Sequence, residues 1–270
     1  MSILAVTGVQ VNDRDCTGEL LFVASPQVEF SWRIETDSPD SRQGGYQIVA
    51  SGADGWLLWD SGRVAGTACR GVPWRGAGLK AGDRVSFCIR VFDRDGSPSP
   101  FSVENTFEVA LLSPGDWHGA RWIRFAGNCC AAAAPAPHFR REFTVGDGLR
   151  RAVLSITARG VFEPSLDGIR IGGDLLAPGW TDFRKQIQFL SYDLSDRLPP
   201  GRHALGVILA EGWCCGNLTV LRMRNVYHPN PELLAHLELV YRDGRRESVV
   251  TDSGWKTATG PILGSDLYDG

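Results

Sequence analysis

The 270-residue sequence has no stretch that reads as an export signal or a membrane span. Its first residues, "MSILAVTGVQVNDRDC", carry no basic segment, no long apolar stretch and no small-residue cleavage site, the three parts a secretory signal needs. No run approaches the roughly 18 consecutive apolar residues that cross a bilayer as a helix. Charge of one sign is lacking too. The 28 Lys and Arg against 31 Asp and Glu leave a net charge of −3, which offers no field for nucleic acid or an anionic membrane. None of the seven cysteines stands in the CxxC-type spacing, with a partner pair or histidines, that a structural zinc site requires. Two pairs are vicinal, Cys129-Cys130 and Cys214-Cys215. Neighbouring cysteines rarely bridge each other, so the expectation is reduced thiols and a cytoplasmic setting. His118, His138, His203, His228 and His236 show no HExxH-type spacing, and no GxSxG elbow exists. Long, capped amphipathic helices and short tandem repeats are absent as well.

Strand signals fill the space these absences leave. "VEFSWRI" (28–34) puts Val28, Phe30 and Trp32 on one face. "RVSFCIRVFD" (84–93) alternates more cleanly, with Val85, Phe87, Ile89 and Val91 pointing one way. A period of two means a half-buried strand. With "GYQIVAS" and "GWLLWDSGRV" between glycine-rich turns, residues 1–113 read as a seven-strand immunoglobulin or fibronectin type III sandwich. Pro114-Gly115 marks a boundary near 113–118, and the small-residue and proline stretch 126–137 reads as an exposed loop. Residues 117–270 are β again. Asp167-Gly168 and Asp243-Gly244 each sit between strand-like flanks, the signal for type I′ hairpins. "HALGVILAEGW" is nearly all apolar and predicts a strand covered on both faces. His203, just before it, reads as a loop residue. Pro164 inside a strand removes a ladder donor and points to an edge or bulge. The fold class expected is all-β: two antiparallel sandwiches, the second of jelly-roll, galactose-binding-like type.

The stretch "ARGVFEPSLDGIRIGGDLLAPGWTDFRKQIQFLSYDLSDRLPPGRHALGVILAEGW" resembles the N-terminal β-sandwich domain of bacterial α-L-rhamnosidases. "YQIVAS…LWDSGRV" and "LLSPGDWHGARWI" are similar to the fibronectin-like domain and junction that often precede it. The 174–213 block carries the likeness best, because glycine, proline, tryptophan and aspartate recur at fixed offsets. Two departures stand out: Asp167 where asparagine is usual, and "GWCCGN" where the family has Gly-Trp-Tyr-x-Gly. The resemblance implies an accessory, substrate-orienting or structural region, with the acid and base carboxylates of an inverting glycosidase on a helical barrel beyond "SDLYDG". A free-standing module for rhamnose-containing glycans and a purely structural module are the rivals. On this reading the second sandwich is truncated at its C-terminal end, the chain alone is inactive, and an open sheet edge near "ILGSDLYDG" invites self-association.

Two clusters are candidates for carbohydrate contact. Trp180, Asp182 and Arg184 follow the Pro178-Gly179 turn and are expected to begin a strand. An exposed tryptophan stacks on the apolar face of a pyranose, while a carboxylate and a guanidinium accept from and donate to its hydroxyls. A tryptophan after Pro-Gly also commonly anchors a turn to the core, and the core is the expectation for Trp180. Glu211, Trp213 and Asn217 follow the apolar strand, where a sandwich presents its loops. No cofactor is expected. Calcium would need six to eight oxygens, to which Asp167, Asp174, Asp182 and Asn217 could contribute, but no EF-hand-like spacing is present.

Overall fold

A computed structural model describes residues 4–37, 41–127 and 135–269. The vicinal pair Cys129-Cys130 and most of the expected 126–137 loop lie outside the described residues. The chain divides into two compact units, Met1–Asp116 and Trp117–Gly270. No helix among the described residues is long and apolar enough to cross a membrane.

The first unit packs one sheet of Arg14–Asp15, Leu4–Val11, Glu29–Thr36 and Val72–Pro73 against a second sheet. That second sheet runs Leu21–Val23, Asn105–Val109, Arg84–Asp93, Gln43–Gly52 and Leu57–Asp60, with Val64–Ala65 also on Gln43–Gly52. The period-two signals explain why. Val85, Phe87, Ile89 and Val91 are all buried, and Val28, Phe30 and Trp32 face them from the other sheet. Phe30 meets Phe87 at 4.8 Å between ring centroids, with Phe107, Trp59 and Trp74 around it. The buried Trp32 indole donates to Gln43 Oε1 at 3.2 Å, so its polar handle is satisfied inside the core. One pair departs from the antiparallel expectation: Leu21–Val23 runs parallel to Asn105–Val109.

The second unit is again two facing sheets. One orders Ile169–Arg170, Val161–Leu166, Gly201–Ala210, Pro137–Val145 and Lys256–Thr259. The other orders Leu190–Asp193, Leu149–Arg159, Glu232–Tyr241 and Arg246–Val250. Leu154, Ile156, Leu205, Leu209, Leu237 and Leu239 fill the space between them. At Asp167-Gly168 both residues take positive φ (52° and 83°), the geometry a type I′ turn demands. Pro164 is neither on an edge strand nor at a bulge, because Val161–Leu166 lies between Ile169–Arg170 and Gly201–Ala210 with an unbroken register to the latter. Its carbonyl and the Phe162 N–H both face the side of the two-residue edge strand Ile169–Arg170, so the missing N–H costs no central ladder bond.

Three other local expectations are corrected. Asp243-Gly244 is not a type I′ turn, because only Gly244 takes positive φ (87°) and Tyr241 N–H closes the loop onto Arg245 O at 2.9 Å. The strand Gly201–Ala210 is covered on one face only. His203, Leu205, Val207 and Leu209 are buried, while Ala204, Gly206, Ile208 and Ala210 are half-buried. His203 is therefore a strand residue, not a loop residue. Its Nδ1 meets Asp167 Oδ2 and its Nε2 meets Pro199 O, each at 2.7 Å. Burial works against the charged ring, but Asp167 and the Pro199 carbonyl outweigh it and hold the His203 pKa above the ordinary value.

Candidate functional site

At the end of the second sandwich where the 149–159 strand finishes and the 232–241 strand begins, two long loops meet. The first is 171–189. Trp180 and Asp182 do not begin a strand, since the next strand starts at Leu190. The loop is anchored at its middle by Phe162 N–H to Ala177 O (2.8 Å) and turned by Gly179 N–H to Leu176 O (3.0 Å). Asp182 then organises the turn beyond. Its Oδ1 accepts from the Arg184 backbone N–H and from Arg184 Nε at 3.0 Å, and its carbonyl accepts from Lys185 and Gln186 N–H. The Arg184 side chain, foremost, holds the Asp182 carboxyl below its ordinary range.

The second loop leaves the 201–210 strand through a one-turn helix, Gly212–Cys215. Gly212 has φ 56°, and a Cβ there would lie 2.7 Å from Val161 Cγ1, so only glycine lets the chain turn so close to the neighbouring strand. Asn225 N–H to Cys215 O and the paired hydrogen bonds between Leu218 and Met223 fold the rest of the loop back.

The two loops meet at Trp180 and Trp213. Their rings are parallel within 6°, with centroids 6.0 Å apart. Trp180 is 53% exposed, which overturns its expected place in the core. The physical reason is Trp213: a second, half-buried indole gives Trp180 an apolar partner at the surface. Beside the pair, Arg184 lies over the Tyr227 ring (5.3 Å) and Phe183 packs against the same ring (5.4 Å). The structure thus joins the two clusters that the sequence presents separately.

Glu211 and Asn217 are placed beneath this surface rather than on it. Glu211 is 2% exposed and Asn217 is 7% exposed. Glu211 Oε1 accepts from Arg224 Nη2, and Arg224 Nη1 reaches Asp266 Oδ2 at 2.8 Å. Asp266 Oδ2 also accepts the Asn217 backbone N–H at 2.7 Å. One guanidinium therefore ties the start of the Trp213 loop, its far side and the 265–269 segment together. Burial pushes the Glu211 carboxyl up, against the pull of Arg224. The other Glu211 oxygen, Oε2, is buried without a hydrogen-bond partner.

The oxygens considered for calcium are engaged separately. Asp167 serves His203 and the Ala204 N–H, Asp174 accepts from Tyr192 and Asp182 serves Arg184, while Asn217 is held through its backbone N–H, which donates to Asp266. Among the described residues no group of three or more His, Cys, Asp or Glu could hold a metal ion. Sequence reasoning missed Phe183, Arg224, Tyr227 and Asp266. Arg224 and Asp266 lie in loops without strand or helix periodicity, so no pattern links them to Glu211.

Comparison with known proteins matches both units. Residues 6–113 match the profile of a Rha78A-like, N-terminal immunoglobulin domain, and residues 147–270 match the α-L-rhamnosidase N-terminal domain. This chain belongs to the N-terminal domains of the α-L-rhamnosidase family. Curated relatives agree. The chain is 33% identical to an α-L-rhamnosidase of Alteromonas sp. over 92% of its own length and 28% of that protein's. It is 30% identical to one from Formosa agariphila over 89% of this chain and 27% of that protein. The crystal structure of an α-L-rhamnosidase from Aspergillus terreus superposes with a TM-score of 0.92 at 32% identity, covering 99% of this chain and 31% of that one. The chain thus spans less than a third of the length of these rhamnosidases. It corresponds to their accessory N-terminal region, an immunoglobulin-like domain followed by a β-sandwich.

Proposed function

We propose that this accessory region serves a glycoside hydrolase that releases terminal L-rhamnose, and that it meets rhamnose-containing glycans at the Trp180–Trp213 surface. The observation that carries this is the parallel indole pair, with exposed Trp180 on half-buried Trp213, beside the Asp182–Arg184 ion pair. Stacked indoles offer a flat apolar area for a deoxy-sugar face, and the ion pair offers one acceptor and several donors for hydroxyls. Glu211 and Asn217 act from below in this reading, by holding the Trp213 loop.

Titration of the chain with methyl α-L-rhamnopyranoside tests it. Trp180→Ala is expected to remove saturable binding while costing less than about 1 kcal/mol of stability, since the ring is already half in water. Undiminished binding by the variant sinks the sugar surface. Hydrolysis belongs, in this reading, to the catalytic barrel of the parent. The purified chain is therefore expected to release no nitrophenol from nitrophenyl α-L-rhamnoside above a buffer blank. Turnover that scales with protein and vanishes on replacing one acidic residue would overturn that assignment.

A second reading is favoured by the apolar residues around the site. Val220 is 95% exposed, Leu221 77% and Leu263 74%, more than an isolated surface needs. They suit a buttress against the parent's barrel. They also suit self-association, which concentration-dependent sedimentation of the chain would reveal.

A further inference from the structure

At the opposite end of the second sandwich lies an open cleft of about 490 Å³ that the reading above does not use. Its walls are the start of the 149–159 strand, the segment before the 201–210 strand and the end of the 232–241 strand. The Trp180–Trp213 surface sits where those strands have run their other way. Ten strand steps separate the two, roughly 33 Å at about 3.3 Å per residue.

The cleft is built from two kinds of surface. Leu149, Pro199 and Pro200 supply apolar area over the buried Leu198, and Asp196 and Arg242 supply one charge of each sign. Among the described residues neither the Asp196 carboxylate nor the Arg242 guanidinium has a side-chain partner. Both are exposed and available to a ligand. The walls are fixed independently of any ligand. Arg242 N–H donates to Gly148 O at 2.8 Å, Pro199 O meets His203 Nε2 at 2.7 Å, and Ser195 N–H is held by Asp193 Oδ1 at 2.9 Å. Ser195 Oγ is committed to Asp193 and to the Ala152 N–H, so it is scaffold rather than ligand contact. A preorganised cleft binds with little ordering cost.

The charges choose the ligand. An isolated carboxylate would favour a cation and an isolated guanidinium an anion, whereas an opposed pair cancels for a charged ligand. Hydroxyls satisfy both, donating to the carboxylate and accepting from the guanidinium, while an apolar ring face covers leucine and proline. We propose that this cleft is a second glycan site, taking one neutral pyranoside residue between Asp196 and Arg242. The ligand class rests on the glycoside-hydrolase reading above; the site does not depend on the indole pair.

The test is residue-resolved. The full chain, labelled for amide NMR, is titrated with methyl α-L-rhamnopyranoside in wild-type and Trp180→Ala forms. Saturable shifts of the Leu149, Asp196, Leu198 and Arg242 amides are expected in both. Asp196→Asn and Arg242→Gln, both exposed changes that leave melting unaltered, should each weaken the cleft about tenfold or more. Shifts confined to Trp180 and Trp213, cleft shifts indifferent to both substitutions, or tighter binding of a zwitterionic dipeptide than of the sugar would each overturn the proposal. Cleft shifts without any at the indoles would uphold it and remove the indole surface instead.

Discussion

Replacing Arg224 with methionine is expected to destabilise the second unit by about 3–5 kcal/mol, the cost of leaving buried carboxylates without their cation. The geometry makes this site unusually exposed to such a loss. Arg224 is the partner of Glu211 on one side and of Asp266 on the other, and the side chains of both acids are 2% exposed. Methionine keeps the bulk and the apolar stem but removes every donor. Glu211 can then relieve the strain only by taking a proton. Burial already raises its pKa, and without Arg224 the shift grows. A carboxyl with a raised folded pKa contributes stability at low pH that is lost as pH rises through that pKa. The deficit of Arg224→Met should therefore be smaller at pH 5 than at pH 8. Adding Glu211→Gln and Asp266→Asn should recover much of it, because replacing a whole buried ion cluster is often close to neutral. Urea unfolding of the three proteins at both pH values measures this. A single Arg224→Met variant as stable as wild type at pH 8 would show the cluster to be ornamental.

That cluster also marks where the sequence stopped being informative. The 84–93 strand was legible because each of its faces meets a different medium, and residue types follow that difference one by one. The hairpin at Asp167-Gly168 was legible because few residues tolerate two successive positive φ values. The 201–210 strand was half legible. Its buried set of His203, Leu205, Val207 and Leu209 has the right period, but small apolar residues on the outer face disguised the alternation. Trp180 was misplaced for a deeper reason. Whether an indole is core or surface depends on what meets it, and its partner Trp213 lies on another loop, 33 positions along the chain (213 − 180). The Glu211–Arg224–Asp266 contacts belong to the same class. They are made by loops whose closeness is a product of the sandwich, so no local pattern announces them. The family likeness supplied the fold and the region of the parent, while the arrangement of side chains had to come from the structure.

His236 is expected to set the acid limb of stability. It sits at the centre of the 232–241 strand, 2% exposed, with Nε2 against Ser248 Oγ at 3.0 Å and its ring 4.7 Å from that of His118. Burial, then the neighbouring His118, push its pKa down to about 4, with Glu238 and Arg151 pulling in opposite directions. The unfolded chain takes up that proton near the ordinary histidine value of about 6.5. Between these two values the unfolded state binds more protons than the folded one, so stability falls as pH falls. The fall from about 6.5 to about 4 is worth roughly 3 kcal/mol at about 1.4 kcal/mol per pH unit, most of it lost by pH 4.5. His203 carries the opposite sign. Its raised pKa gives stability that is present in acid and fades as pH climbs through the folded value, so it cannot produce the acid loss. The carboxylates with lowered pKa, such as Asp167 and Glu238, begin to lose their contribution as pH falls through their ordinary values of 3.8 and 4.5, at the acid end of the His236 window. His236→Gln separates these effects. The substitution carries its own packing cost, but that cost is the same at every pH and cancels when each protein is compared with itself. Wild type should lose about 2–3 kcal/mol between pH 7 and pH 4.5, and the variant should lose most of that slope. Amide exchange in the 149–159 and 232–241 strands reads the second unit by itself, and equal slopes in the two proteins would place the acid sensitivity elsewhere.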